Sequence, residues 1–275
     1  MLGGYTDKLL RMNLLNGSIK AKKTNTTPPS RKPKRAKRVE VVASPLERIK
    51  FPQLQVALDM DADVKTIAKM AEQVYAGGAR IIEAGTPSVK RHGVDHLLPA
   101  LRKAAPNALL VADLKTMDVG DLESRIAFRA GADVSAVLAI GGRAKLTEAV
   151  SEATRWGRAV LIDLIDCPDP LDTLESLTKD FREHESRVIF CLHRGISEQP
   201  KGWSIREQTR LISEAKKRAG RFPLAVAGGI KEGVAKDVVL AGADICIAGR
   251  SICNSANPKE TAGRILAEIR RSYKR

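Results

Sequence analysis

From Pro52 onward the chain alternates eight times between a short run of β-branched and apolar residues and a longer stretch whose apolar residues recur three and four apart. The short runs fall at 54–58, 80–83, 109–113, 134–138, 159–164, 188–192, 224–227 and 245–248. Runs of this kind suit strands of a parallel sheet, and stretches such as 64–75 and 205–217 suit the amphipathic helices that cross over between them. Gly78-Ala-Arg80, Gly131-Ala-Asp133 and Gly242-Ala-Asp244 each stand between a helical pattern and a strand. A left-handed glycine cap used once per repeated unit would leave that trace. An open doubly wound sheet has the same alternation, but the count of eight and the lack of a GxGxxG turn after the first strand favour closure. The expected fold is therefore α/β, a (β/α)8 TIM barrel over residues 49–275, preceded by an extension over residues 1–48.

In such barrels the reacting groups stand at the C-terminal ends of the strands, so what terminates each apolar run carries the functional reading. Strand one ends at Asp59, strand two at Glu83 before Gly85-Thr86-Pro87, and strand three at Asp113-Leu-Lys115-Thr-Met-Asp118. Strand five holds Asp163, strand six runs into His193, strand seven into Gly228-Gly229 and strand eight into Gly249-Arg250. An acid after a strand is often only a cap for the next helix, and a lone histidine is more often structural than catalytic. Seven polar endings on one face point instead to a shared site. Gly228, Gly229, Gly249 and Arg250 suit a phosphate, because glycine lets backbone N–H groups approach an anion while a guanidinium pairs with it. Glu83 and Asp113 offer oxygens to a hard cation such as Mg2+. Lys115 follows Asp113 by two residues, on the same face if the chain stays extended there, and a lysine among carboxylates keeps its proton and can hold an oxyanion. His193 is the group suited to exchange a proton near neutral pH.

The net charge of +15 is concentrated at one end: residues 1–50 hold thirteen Lys and Arg against three acids, leaving only +5 for the other 225 residues. Within that end, residues 20–38 carry nine basic side chains among Thr, Pro and Ser without a hydrophobic period. Such a segment cannot bury enough surface to offset the entropy of ordering, so it is expected to be disordered. Its basic run, Arg31-Lys-Pro-Lys-Arg-Ala-Lys-Arg38, reads as a solvated tail, with polyanion binding or a targeting address as the functional alternative. The four cysteines form no CxxC pair and are expected to be reduced core or loop thiols. No apolar run has the length of a membrane span and no apolar stretch opens the chain, so a soluble cytoplasmic protein without membrane partners is expected.

The Asp113-x-Lys115-x-x-Asp118 signature resembles that of the orotidine 5'-phosphate decarboxylase superfamily. Within it the chain is similar to the 3-hexulose-6-phosphate synthases, with the 3-keto-L-gulonate-6-phosphate decarboxylases next. The resemblance spans about residues 53–272 and rests on Leu54-Gln-Val-Ala-Leu-Asp59, Glu83-Ala-Gly-Thr-Pro87, Val111-Ala-Asp-Leu-Lys-Thr-Met-Asp118, Val226-Ala-Gly-Gly229 and the closing Gly-Arg-Ser. It implies Mg2+, or Mn2+ in its place, on Glu83 and Asp113, and Lys115 at the enediolate oxygens or substrate hydroxyls. It also implies Asp118 reaching into the partner's site of a homodimer, Asp59, Asp163 and His193 along the substrate, and phosphate at Gly229, Gly249 and Arg250. The implied reaction is that of an aldehyde-lyase condensing formaldehyde with D-ribulose 5-phosphate, or the reverse.

Ile196, where the decarboxylase pattern has an arginine, favours the synthase, as do Asp163 in place of Glu and the Glu-Ala-Gly-Thr-Pro run. Gly249-Arg-Ser-Ile252, the Gly202-Trp203 pair and Arg194 beside the histidine lean the other way. The extension belongs to neither pattern and is not the formaldehyde-activating domain sometimes fused to archaeal synthases. A different class of function, a polyanion-binding protein acting through its tail on a degenerate barrel, is disfavoured by the intact set of acids, lysine, histidine and glycines.

Overall fold

The computed structural model describes residues 43–195 and 205–272. Lys20–Arg38 with its expected disorder, the specificity position Ile196, and Gly202-Trp203 all lie outside the described residues.

Eight strands form one closed barrel in chain order, with the last paired to the first and all neighbours parallel. They are β1 (Gln53–Leu58), β2 (Ile81–Ala84), β3 (Leu109–Thr116), β4 (Val134–Leu138), β5 (Ala159–Asp163), β6 (Val188–His193), β7 (Leu224–Ala227) and β8 (Ile245–Ala248). The helices between them are α1 (Val64–Ala76), α2 (Thr86–His92), α3 (Val94–Ala104), α4 (Gly120–Arg129), α5 (Ala144–Trp156), α6 (Pro170–Asp180), α7 (Ile205–Ala219) and α8 (Ala235–Leu240), followed by α9 (Arg250–Cys253) and α10 (Pro258–Ser272). Strand ends agree with the sequence pattern to within a residue except for β3, which continues past Asp113 to Thr116.

Every strand is covered on both faces, and its residues divide by parity. Leu54, Val56, Ile82, Leu110 and Val160 join the helices in the outer core layer. Ala57, Ile81, Leu109, Val111, Leu161, Ile189, Cys191, Ala227 and Ile247 belong to a second cluster, drawn from the strands and closed at one end by Leu46, which is the barrel interior. Side chains alternate along a strand, so the interior phase continues by steps of two to Asp59, Glu83, Asp113, Asp163 and His193.

The opposite end is plugged. Ser44 caps a single 3-10 turn, Pro45–Arg48, through a hydrogen bond from Leu46 N, and Glu47 reciprocates to Ser44 N. Leu46 is buried against the interior cluster, with Ile49 and Phe51 packed beside it. The packed part of the chain thus includes residues that the charge run assigns to the extension: Pro45 and Leu46 are apolar, and they are what the barrel floor buries.

The Gly-Ala repeat has a geometric basis. Gly78, Gly131 and Gly242 have φ of 101°, 103° and 113°. The following residue donates five positions back, from Ala79 to Val74 O, Ala132 to Ala127 O and Ala243 to Val238 O. This is the Schellman ending, and positive φ is where glycine avoids the Cβ penalty. In two copies the next residue is an aspartate that ties the unit to the preceding strand. Asp133 accepts from Leu110 N and Asp244 from Leu224 N, at 3.0 and 2.8 Å.

Candidate active site

The interior phase brings Asp59, Glu83, Asp113, Asp163 and His193 to the C-terminal mouth of the barrel, with Lys115 among them. Lys115 Nζ lies 3.1 Å from Asp113 Oδ2 and 3.2 Å from Asp163 Oδ2. One expectation needs correction here: the chain is not extended at Lys115. Its φ is +48°, and the pairing of β3 with β4 shifts register between Ala112 and Thr116. The lysine reaches both carboxylates through a left-handed kink, a conformation that a non-glycine residue keeps only where its surroundings enforce it. The enforcement is visible in the two ion pairs.

Asp163 is the centre of a relay. Its Oδ2 meets His193 Nδ1 at 2.9 Å and Lys115 Nζ, while its Oδ1 accepts from Ile165 N at 3.0 Å. Burial alone would raise this carboxyl, but the bond and charge of His193, then Lys115 and the Ile165 amide, carry it below its usual value. An ionised carboxylate only accepts, so His193 presents an Nδ1–H to Asp163, and in the neutral ring the lone pair is then on Nε2. For Lys115, burial disfavours the charge, but Asp113 and Asp163 outweigh it and hold the ammonium above its ordinary range.

The other three acids form a repelling group. Glu83 is pushed well above the usual carboxylate range by burial, then by Asp113 and Asp59, against a hydrogen bond from Gln55 Nε2. Asp59, at the open mouth, is raised by desolvation and Asp113, and drawn back by Lys115, His193 and Arg250. Asp113 accepts from Thr86 Oγ1 at 2.7 Å. Glu83 has no ion pair among the described residues, and Gln55 Oε1 beside it is buried without a partner. Clustered carboxylates short of positive charge, next to an unfilled acceptor, fit a hydrated oxygen-seeking cation held by Glu83 and Asp113. A second grouping, Asp163, Cys191 and His193, has its ligand atoms within 4.8 Å of one another. It suits Mg2+ less well: two of its three donors are a thiol and an imidazole rather than oxygens, and burial and then Asp163 push the Cys191 thiol well above its ordinary value.

Glycines shape the mouth. A Cβ on Gly85 would overlap the Asp59 carboxylate, and one on Gly249 would come within 3.5 Å of its other oxygen. Gly228 and Gly229 have φ of 100° and 78°, and a Cβ on Gly228 would strike the Arg194 carbonyl. Gly249 leads directly into α9, whose first residue is Arg250. These four residues form one rim, next to Asp59 through Gly249 and Arg250.

Gln55 and Thr86 had no role in the sequence reading, and Arg194 entered it only as a residue leaning toward the decarboxylase pattern. Gln55 and Thr86 hold Glu83 and Asp113, and Arg194 packs its backbone against Gly228 and its guanidinium near Gly229. Gln55 was findable, being polar at an interior position of an otherwise apolar strand. The place of Arg194 beside the glycines was not, since only the β6–β7 contact sets it. Asp118 is the one site residue the fold leaves apart: it is exposed and makes no hydrogen bond or ion pair with the described residues. Met117, Val119, Leu122 and Ile126, around it and along α4, are exposed apolar side chains. All four cysteines are free thiols. Among the described residues no helix is long and apolar enough to cross a membrane.

Residues 52–265 match the sequence model of the Orotidine 5'-phosphate decarboxylase / HUMPS family. The chain belongs to this family. Among curated relatives, the 3-hexulose-6-phosphate synthase of Mycobacterium gastri is 35% identical over 225 residues, which cover 79% of this chain and 99% of that protein. The "Bifunctional enzyme Fae/Hps" of Methanococcoides burtonii is 36% identical over 217 residues, 78% of this chain but 52% of the relative. The chain thus spans about half the length of the bifunctional relatives. A crystal structure of a 3-hexulose-6-phosphate synthase superposes with a TM-score of 0.70 at 32% identity, covering 79% of this chain and 99% of that one.

Proposed function

We propose that this chain is a cytoplasmic aldehyde-lyase that joins formaldehyde to D-ribulose 5-phosphate, giving 3-hexulose 6-phosphate, and that it runs the reverse reaction at the same site. The observation that carries the reading is the Lys115–Asp163–His193 relay beside the Glu83 and Asp113 carboxylates. Near full-length similarity to the Mycobacterium gastri synthase supports it.

The substrate phosphate lies on the rim of Gly228, Gly229, Gly249 and Arg250, which directs the carbonyl end toward Lys115 and His193. His193 Nε2 takes the proton from C1, and Asp163 stabilises the imidazolium that results. The electron pair left on C1 spreads into an enediolate, whose oxygens Lys115 meets as a fixed ammonium. C1 then bonds to the formaldehyde carbon as the C2 carbonyl re-forms, the C=O π pair moves onto the formaldehyde oxygen, and that oxygen takes the proton held by His193, which returns the ring to its starting state. Mg2+, or Mn2+, held by Glu83 and Asp113 would supply further positive charge to the oxygens as they become anionic. Asp59 lines the substrate at the mouth, where Gly85 and Gly249 leave room for its carboxylate.

Asp118 belongs to this reading through a second subunit. Its exposure, within an apolar surface of Met117, Val119, Leu122 and Ile126, suits a homodimer in which it completes the partner's site. The basic tail adds salt-sensitive affinity for polyanions without a part in turnover.

Turnover of ribulose 5-phosphate with formaldehyde, set beside decarboxylation of 3-keto-L-gulonate 6-phosphate, tests the assignment. We expect condensation to dominate in kcat/KM and to vanish with a chelator. A preference for the keto-gulonate substrate would transfer the chain to the decarboxylases, and full activity without metal would remove Glu83 and Asp113 from the ligand role.

A further inference from the structure

The floor of the barrel, at the end opposite the site above, carries a second cavity of about 530 Å³. Its wall is formed by Phe51 and Pro52 below β1, Leu109 at the start of β3, and the cationic side chains of Lys50, Arg80 and Arg270. Arg48 also reaches it but is held by Asp133, which accepts from Arg102 and Arg158 as well. Lys50, Arg80 and Arg270 have no such partner: among the described residues no carboxylate lies within ion-pair distance of them. Arg80 is nonetheless fixed in place, donating to the Tyr75 and Ala79 carbonyls and lying 4.5 Å over the Tyr75 ring.

A convergence of three cations on a cavity would by itself be a solvated patch. Gln53 makes it more. This residue lines the same cavity, is only 8% exposed, and keeps its Oε1 buried without a hydrogen-bond partner. Buried acceptors are nearly always satisfied, so an orphan at a cavity wall points to a missing donor. The occupant must therefore offer an anionic group to the cations, an O–H or N–H to Gln53, and an apolar body to Phe51, Pro52 and Leu109. The volume falls in the range of small-molecule sites.

We propose that this floor cavity is a binding site for a nucleoside phosphate, separate from the sugar-phosphate site at the mouth. The phosphate pairs with Lys50, Arg80 and Arg270, a ribose hydroxyl donates to Gln53, and the base lies on Phe51. The probe is AMP, titrated calorimetrically into the full chain, with inorganic phosphate and ribose 5-phosphate as comparisons. AMP should bind saturably and more tightly than inorganic phosphate, and Arg250→Ala at the mouth should leave that binding intact. The double variant Lys50→Glu with Arg270→Glu, both on exposed residues, should weaken it by at least about tenfold, as loss of charge-assisted bonds requires. Gln53→Leu should weaken AMP without changing the response to inorganic phosphate; if that variant does not fold, the double variant decides. Absence of saturable AMP binding overturns the proposal. So does AMP bound no more tightly than inorganic phosphate, or AMP binding that Arg250→Ala abolishes and the double variant retains.

Discussion

Asp163 concentrates most of the site's electrostatics in one side chain, since Lys115, His193 and one amide converge on its two oxygens. Its carboxyl lies below its unfolded value of about 3.9, so its contribution to stability is complete above that value and is lost as pH falls through the folded one. Asp163→Asn should therefore lower the thermal midpoint at neutral pH, and the deficit should close as pH drops below about 4, measured by calorimetry across pH. The same variant should slow turnover by about 10²-fold or more, because His193 then loses the acceptor that keeps its Nε2 free to take a proton. Lys115 allows a separate test of its backbone. At φ +48° an alanine retains the strain and a glycine does not, so Lys115→Gly should be about 1 kcal/mol more stable than Lys115→Ala although both are inactive.

At the scale of elements, the floor plug and the Gly-Ala-Asp units show how the barrel is fastened. Leu46 is the plug's buried side chain, so Leu46→Ala should cost about 2 kcal/mol in denaturant unfolding. Removal of residues 1–40 should leave that stability unchanged, whereas removal of 1–48 should lower it by at least as much as Leu46→Ala does. Gly85 fastens the other end. A methyl group there would displace the Asp59 carboxylate, and Gly85→Ala is expected to reduce kcat/KM with little change in the far-ultraviolet spectrum. The eight strands were legible because each is covered on both faces and reads as a short, mostly apolar run. The kink within β3 was not, because nothing in Asp113-Leu-Lys115 marks a left-handed residue; it accompanies the two carboxylates that capture the ammonium.

At the scale of the whole molecule, the exposed face around Asp118 sets the expected behaviour of mixtures. Lys115→Ala and Asp118→Ala subunits should each be inactive, and exchange between them should restore part of the activity, since one site of each heterodimer keeps both groups. No recovery after exchange verified by mass would remove Asp118 from the partner's site. The sequence by itself determined the strand positions, the count of eight and the identity of the polar group closing seven of the strands, because side-chain alternation and burial are local properties. Only the tertiary structure decided which of those groups meet. That Asp163 rather than Asp113 organises the histidine, that Arg194 abuts the glycine rim and that Gln53 stands unsatisfied over a cationic floor all depend on neighbouring strands and their register. Distances across a closed barrel are set by its curvature and pairing, which no single segment encodes.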